Sequence, residues 1–480
     1  MPEYALVGKR VPRTDSIEKV RGEAKFTADL SLPGMLHAKV LRSPYPHARI
    51  LNIDTSRAEK LLGVKAVITG KRDALPYKWG VFPYTRDYQL LPIDKVRYIG
   101  QEVAAVAAID EDIAQEALEL IQVEYEPLPA VFDPEEAMKE GVPLIHEDKP
   151  GNICVHVKVD EGEVDKALAE ADLVLEGHFE APEQNYCQAE PYAVLASFDS
   201  TGVDIWCPNA GPHMKARPLS RALGIPTSQV RVHRVYIGGA FGGRSEIQAA
   251  DVIACLLSRK AQRPVKLVYS REENENCIRQ RVGWITYLKM GFKKDGIWTV
   301  GDFRCIIDGG AYASTGPIAV SVPYMELETT YALKNLRYDG YRVYTNKPPR
   351  GMHPEQNRAF HMAVELHLDM AAEKLGIDPM EIRLKNAVTS GFVTATGAKI
   401  SSCGLTECVH KAAERAGWKE KRGKLPPGRG IGMACGSVMC GFPMGIRGGS
   451  AAFIKFNEDG DATIISGVVD LSLIHISEPT

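Results

Sequence analysis

The sequence predicts an α+β (mixed α/β) fold, with a small N-terminal domain and a larger second one, and three stretches carry that prediction. Between Val96 and Glu126 a buried-strand pattern, a helix pattern and a second strand follow one another in under 40 residues. From Gln229 to Leu257 a strand pattern runs through a glycine-rich loop into an apolar helix. From Glu355 onward, helical periodicity continues for two successive helices. A chain of 480 residues that is 45% apolar is long enough for two or three domains at roughly 150 residues each.

Taken in order, Val96–Ile109 (VRYIGQEVAAVAAI) is rich in Val and Ala, as a buried strand should be. Asp112 and Gln115 are spaced as a capping box for the helix that follows, whose apolar positions are Ile113, Ala117, Leu120 and Ile121. Val123–Glu126 reads as a strand stopped by Pro127 and Pro129. Phe132–Asn152 carries three prolines and two glycines, so a linker is expected over residues 135–152, between domains at 1–134 and 153–470. In the second domain Gln229–Ile237 alternates as a strand does, and Ser245 and Gln248 are spaced to cap a helix with Ala249, Val252, Ile253, Leu256 and Leu257 on one face. A long helix over Glu355–Leu375 should stop at Gly376. Asp378, Pro379 and Glu381 then open another. Ile464–Asp470 reads as a strand that heads into a turn, and Leu471–Thr480 (LSLIHISEPT) fits so poorly behind it that it reads as a non-native tail.

Composition narrows the function. Lys+Arg at 58 against Asp+Glu at 61 gives 58 − 61 = −3, no electrostatic reason to expect nucleic acid or an anionic membrane. No run approaches the roughly 18 apolar residues of a membrane span, and Met1–Tyr4 does not begin a secretory signal. Ten cysteines are too sparse for a disulfide scaffold. A soluble, cytoplasmic chain is expected.

The glycine loop Gly238-Gly239-Ala240-Phe241-Gly242-Gly243-Arg244 is the strongest chemical signal. Its glycines let backbone approach a ligand, and the helix behind it offers free N–H groups to an anion. A tight turn packed in the core explains the same residues equally well. The loop is neither a P-loop nor the GxGxxG dinucleotide fingerprint. Cys403/Cys408 and Cys435/Cys440 are C-x4-C pairs and read better as isolated thiols than as zinc ligands. His361 and His367 lie about 240° apart on a helix and cannot share a metal. No iron–sulfur ligand run, G-x-S-x-G elbow or H-E-x-x-H occurs. Arg350, His353, Arg358 and Glu365 gather around a Pro-rich turn, which suits a ligand-facing loop or a charged helix start.

YIGGAFGGR, preceded by Gly211-Pro212-His213 and ALGIP, resembles the molybdopterin-binding subunit of the xanthine dehydrogenase/aldehyde oxidase family. The opening VGKRVPRTDSIEKVRGEAKFTADL, then RYIGQEVAAVAA, VEYEPLPAV, DGGAYAS, TNKPP and AAEKLGIDPMEIRLKN, resemble that family's landmarks in order over almost the whole chain. The resemblance implies a small hammerhead α/β domain followed by an incomplete molybdopterin-binding α+β domain. It implies a molybdenum held by a pterin dithiolene, in a form (cytosine dinucleotide or not) left open. That cofactor oxidises or hydroxylates an electron-poor carbon of an aldehyde, aromatic or heterocyclic substrate. By that likeness Gly239, Ala240, Phe241, Gly242 and Gly243 lie against the cofactor, with Arg350 a further candidate. Electrons should leave through an iron–sulfur subunit, with an FAD subunit as a further candidate, in a hetero-oligomer.

Several positions depart from the pattern. Ala210 stands where many relatives have Gln; Ser245 and Val322 stand where xanthine dehydrogenases have Glu and Arg. A purine would lose both polar handles, so xanthine is disfavoured. No Cys lies between Cys305 and Cys403, which disfavours a carbon monoxide dehydrogenase. The usual RGxGxxQ is RGMHPEQ here. Leu471-Ser472-Leu473 replaces a Gly-Gln-Gly loop, and no Glu matches the family's catalytic base; Glu190 and Glu246 are not substitutes. A chain so truncated is expected not to turn over alone. The alternatives are a non-catalytic half of a split subunit, or an inactive scaffold paralogue.

Overall fold

Strands from the N-terminal region and from the second region share one sheet. The computed structural model describes residues 9, 16–80, 82–351, 358–438 and 452–466. Its seven-stranded sheet runs, edge to edge, Val230–His233, Gly202–Trp206, Ala193–Asp199, Val265–Val268, Leu36–Arg42, Glu102–Ala108 and Val64–Thr69. The join is the parallel pairing of Leu36, His37 and Ala38 with Val265, Lys266 and Leu267. Both sides supply the core: Leu36, Ala38 and Ile68 pack with Ile205, Leu219, Ile253 and Leu267. The helix Ala249–Ala261 lies on this sheet, buried along nearly its whole length. That explains why its apolar residues are not confined to one stripe.

A second, five-stranded sheet orders Leu173–Ala181, Gly283–Phe292, Trp298–Asp308, Asn335–Val343 and Ile153–Glu161. Its inner side packs Trp284, Phe303 and Tyr338 against Phe360, Val364 and Leu368 of the helix Arg358–Leu375. That helix ends at Gly376, left-handed at φ 68°, and Asp378 then caps the helix Pro379–Asn386 by accepting from Met380 N. Both features follow the sequence.

Elsewhere the local reading shifts. Val96–Ile109 is not one strand: Gly100 at φ 86° turns the chain between Lys95–Val96 and Glu102–Ala108. Gln122–Pro127 joins a separate three-stranded sheet with Ala48–Asp54, because its residues are half exposed while Glu102–Ala108 is wholly buried. Asp110, extended at φ −146°, caps the helix Glu111–Glu119 by accepting from Ile113 N, displacing the expected Asp112. The Ala249–Ala261 helix is capped at Gln248, whose N–H meets Asp251; Ser245 instead turns its hydroxyl back onto Gly242 O. The strand expected over Gln229–Ile237 is confined to Val230–His233.

The expected 135–152 linker is a packed strap. It holds a helical turn, Pro134–Ala137, and buries Ile145 and Asn152 completely. The Asn152 side chain bonds Ile145 N, Ala137 O and Pro143 O. A hairpin, Ala452–Phe456 with Ala462–Ser466, leaves the apolar Phe453, Phe456 and Ile464 facing solvent. Residues 467–480 and His353 lie outside the described residues. Among the described residues no helix is long and apolar enough to cross a membrane.

The capping assignment is directly testable. Asp110→Ala should cost about 1 kcal/mol in urea unfolding, and Asp112→Ala should stay within about 0.5 kcal/mol of the parent. Equal losses would return the cap to Asp112.

Candidate functional site

The glycine loop leaves its strand at the sheet edge and is wedged against residues 186–190. A Cβ on Gly238 would come 2.5 Å from Cβ of Glu190, and one on Gly243 would come 2.4 Å from Nε2 of Gln188. Glu190 N–H donates to Gly238 O, Gly238 N–H donates to the Glu190 carboxylate, and Gln188 Nε2 donates to Ala240 O. Arg271 fixes the opposing segment through Gln188 O and Ala189 O. Two glycines, Gly238 and Gly243, are therefore packing requirements.

The tip differs. Ala240 and Gly243 are buried, but Phe241 and Gly242 are half exposed. Phe241 sits at φ 47°, a left-handed conformation that a bulky side chain adopts only where its surroundings impose it. Gly242 follows at φ 90°. Gly243 N–H closes a turn onto Ala240 O, yet among the described residues no acceptor takes the N–H groups of Gly239, Ala240, Phe241 or Gly242. Successive unpaired amides in such a turn form an anion- or oxygen-binding nest.

Buried charge surrounds the loop. Arg244 is fully buried over the Tyr192 ring and donates to Glu190 O. Burial pushes its guanidinium pKa down, and pushes the carboxyl of Glu190 up against the opposing Gly238 hydrogen bond. Arg279 pairs with Glu246 at 2.6 Å, and both are almost wholly enclosed. Burial raises the Glu246 carboxyl pKa, which Arg279 and the Ser314 hydroxyl counter. Neither acid is placed as a solvent-accessible base. The Ala210 N–H donates to Arg244 O.

Arg350 lies one layer below. It pairs with Glu183 at 3.1 Å, its N–H donates to Gly309 O, and its carbonyl accepts from Arg342. Burial pushes the neighbouring Asp308 carboxyl up, but Arg350 and Lys347 outweigh it and hold its pKa low. The short parallel pairing of Arg350–Gly351 with Gln280–Arg281 links Arg350 to the loop indirectly, through Arg279. Glu365 is committed elsewhere, to Arg383 and Tyr331, and is not gathered with Arg350. Among the described residues no group of His, Cys, Asp and Glu could hold a metal ion. The site offers backbone amides, an aromatic side chain at the tip and enclosed charge, which fit a large oxygen-bearing cofactor.

Residues 145–387 match the molybdopterin cofactor-binding domain, and residues 21–129 match the a/b hammerhead domain of aldehyde oxidase and xanthine dehydrogenase. The chain therefore belongs to the xanthine dehydrogenase/aldehyde oxidase family of molybdopterin-binding subunits. It is 36% identical over 420 residues to the nicotinate dehydrogenase large molybdopterin subunit of Eubacterium barkeri, covering 86% of this chain and 97% of that one. It is 32% identical to a putative xanthine dehydrogenase molybdenum-binding subunit of Escherichia coli, covering 96% of this chain and 63% of the relative. Among solved structures, aldehyde oxidoreductase from Desulfovibrio gigas superposes with a TM-score of 0.85 at 26% identity, over 95% of this chain and 52% of that one. Quinoline 2-oxidoreductase from Pseudomonas putida 86 superposes at 0.80 and 28%, over 86% and 54%. Apart from the Eubacterium subunit, the chain spans about half to two thirds of these relatives.

Sequence reasoning found the loop but missed Gln188, Arg271 and Arg279, which hold it. No local motif marks them, since their roles arise from contacts between distant segments.

Gly238→Ala should destabilise the protein by about 1–3 kcal/mol, while Gly432→Ala, with open space around its Cβ position, should stay within about 0.5 kcal/mol. Urea unfolding of the two variants decides it. A second expectation concerns Asp87, whose carboxylate takes the Ala313 N–H and the Tyr344 hydroxyl in full burial. Burial raises its pKa from the usual 3.8 to about 6. The folded state therefore holds the extra proton. Its contribution is complete below pH 3.8 and is lost as pH rises through about 6. The stability difference between the parent and Asp87→Asn should grow by about 1 kcal/mol or more between pH 7 and pH 5.

Proposed function

We propose that this chain holds the molybdopterin cofactor of a molybdenum hydroxylase or dehydrogenase. The observation that carries the reading is the run of amides Gly239–Gly242, which have no acceptor among the described residues and which end on the strained, half-exposed tip Phe241–Gly242. These N–H groups would donate to the cofactor's oxygen atoms, with Gly243 closing the turn behind them. The Phe241 ring would cover the bound group and exclude water from it. When bound, the cofactor supplies two-electron oxidation of an electron-poor carbon. The chain's own part is to fix that centre by backbone rather than by side-chain ligands. Arg350 would act from behind, by holding Asp308 and the Gly309 backbone in place.

The substrate in this reading is an aldehyde or an aromatic or heterocyclic compound. Ser245 commits its hydroxyl to Gly242 O, and Val322 opens the buried helix Val322–Thr330, so neither offers a charge to a purine. The names of two relatives, a nicotinate dehydrogenase and a quinoline oxidoreductase, favour nitrogen heteroaromatics. Electrons would pass to an iron–sulfur partner subunit, with FAD on that chain or on a third. A second reading makes the chain one of two polypeptides that together enclose the cofactor. The match along 97% of the Eubacterium subunit favours it, and the apolar Ala452–Ser466 hairpin would give such a partner a surface.

The test is the metal and pterin content of the native complex isolated through this chain. The expected result is about one molybdenum and one pterin per chain, with iron on a co-purifying polypeptide. A complex that lacks both molybdenum and pterin after expression in a cofactor-replete host would contradict the proposal.

A further inference from the structure

We infer that Arg279, paired with Glu246, is the positioning residue that holds the glycine loop in its ligand-facing conformation. The inference rests on the proposed function for what the loop binds, but its geometry stands apart from it. Five non-glycine residues among those described adopt a left-handed backbone: Asn152, Cys187, Phe241, Gln262 and Ser314. Two of them, Phe241 and Ser314, meet at one buried ion pair. Next to Phe241, the carbonyl of Gly242 accepts from Arg279 Nη1 at 2.5 Å. On the other side, Ser314 donates its hydroxyl to Glu246 at 2.5 Å, and Thr315 Oγ1 accepts from Arg279 Nη2 at 2.6 Å. Strained backbone persists only where neighbours over-determine it, and this pair supplies the restraint to both segments.

The restraint has a direction. Drawing the Gly242 carbonyl inward toward the guanidinium fixes the orientation of the peptide that follows it. Gly243 N–H is then committed to Ala240 O, which completes the turn and leaves the amides of Gly239–Gly242 without an acceptor among the described residues. Ser245 Oγ, also within reach of Nη1, reinforces the same carbonyl. Space for the guanidinium comes from Gly351, where a Cβ would lie 2.2 Å from Arg279 Nε. The far segment is pinned in turn by Asp87 on Ala313 N–H.

Arg279 itself is not placed to bind a substrate. Nε faces Glu246, Nη1 serves Gly242 and Ser245, Nη2 serves Thr315, and the side chain is 2% exposed. It acts through the backbone it holds. A buried pair of similar enclosure, Arg383 with Glu365, ties the helices Arg358–Leu375 and Pro379–Asn386 and bonds no part of the loop. It is the natural control.

The experiment compares the full chain with Arg279→Met, Arg279→Lys and Arg383→Met by amide hydrogen exchange over residues 238–245 and 311–316. Bound molybdenum and pterin are then measured per folded chain in the native complex. Exchange in both segments should rise about tenfold or more in Arg279→Met, less in Arg279→Lys, and not in Arg383→Met. Cofactor occupancy should fall with it, while Arg383→Met loses thermal stability but keeps its cofactor. Exchange unchanged in Arg279→Met, or raised equally by Arg383→Met, overturns the inference, as does faster exchange with full cofactor retention. If Arg279→Met does not fold, Thr315→Val removes a single acceptor and carries the same comparison. Faster exchange in the variant beside a parent that binds no cofactor supports the clamp and contradicts the proposed function instead.

Discussion

The parallel pairing of Leu36–Ala38 with Val265–Leu267 sets the rest of the molecule. Parallel neighbours so far apart in sequence cannot be joined by a local turn, so the pairing forms only when the N-terminal region docks onto the second. Docking brings Asp87 to the Ala313 amide and Gln101 to the Tyr312 hydroxyl. The strap adds His146 on Ala311 O. The loop of residues 309–316 is thus held from the N-terminal side. Through Ser314 and Thr315 it holds Glu246 and Arg279, and through Arg279 it holds Gly242. The site belongs to neither region alone.

Charge placement follows the same logic. An unpaired buried charge is expensive, and a buried pair removed on one side leaves the other uncompensated. Arg279, Glu246, Arg350 and Asp308 are each enclosed and each paired. Such groups add little net stability over apolar residues of the same volume, but they admit few arrangements. Under the proposed function, a loop that presents backbone amides in one geometry would gain more from that selectivity than from additional apolar contacts. Packing glycines at Gly238 and Gly243 and a strained Phe241 between them complete the arrangement.

Much of this was legible in the sequence. The helix ending at Gly376 and the cap at Asp378 follow from local chemistry, since φ > 0 and a side-chain acceptor are properties of those residues alone. The family resemblance singled out YIGGAFGGR as the candidate loop, but DGGAYAS stood only as a landmark, and its contact with the loop through Ser314 and Thr315 was not visible in the sequence. Other features were hidden because they depend on tertiary competition. Ser245 could cap a helix, but Gly242 O claims its hydroxyl, and the cap moves to Gln248. The proline-rich run after Phe132 has the composition of a linker, but Asn152 satisfies its backbone and turns it into a strap. Arg279 carries no motif at all.

The central claim is that backbone amides of the glycine loop, and not side-chain ligands, hold the cofactor. A crystal structure of the cofactor-loaded complex tests it most directly. The account predicts cofactor oxygen atoms within about 2.7–3.2 Å of the Phe241 or Gly242 nitrogen, with Gly242 O still turned toward Arg279. A cofactor seated away from this loop, or a molybdenum ligated by side chains of this chain, would contradict it.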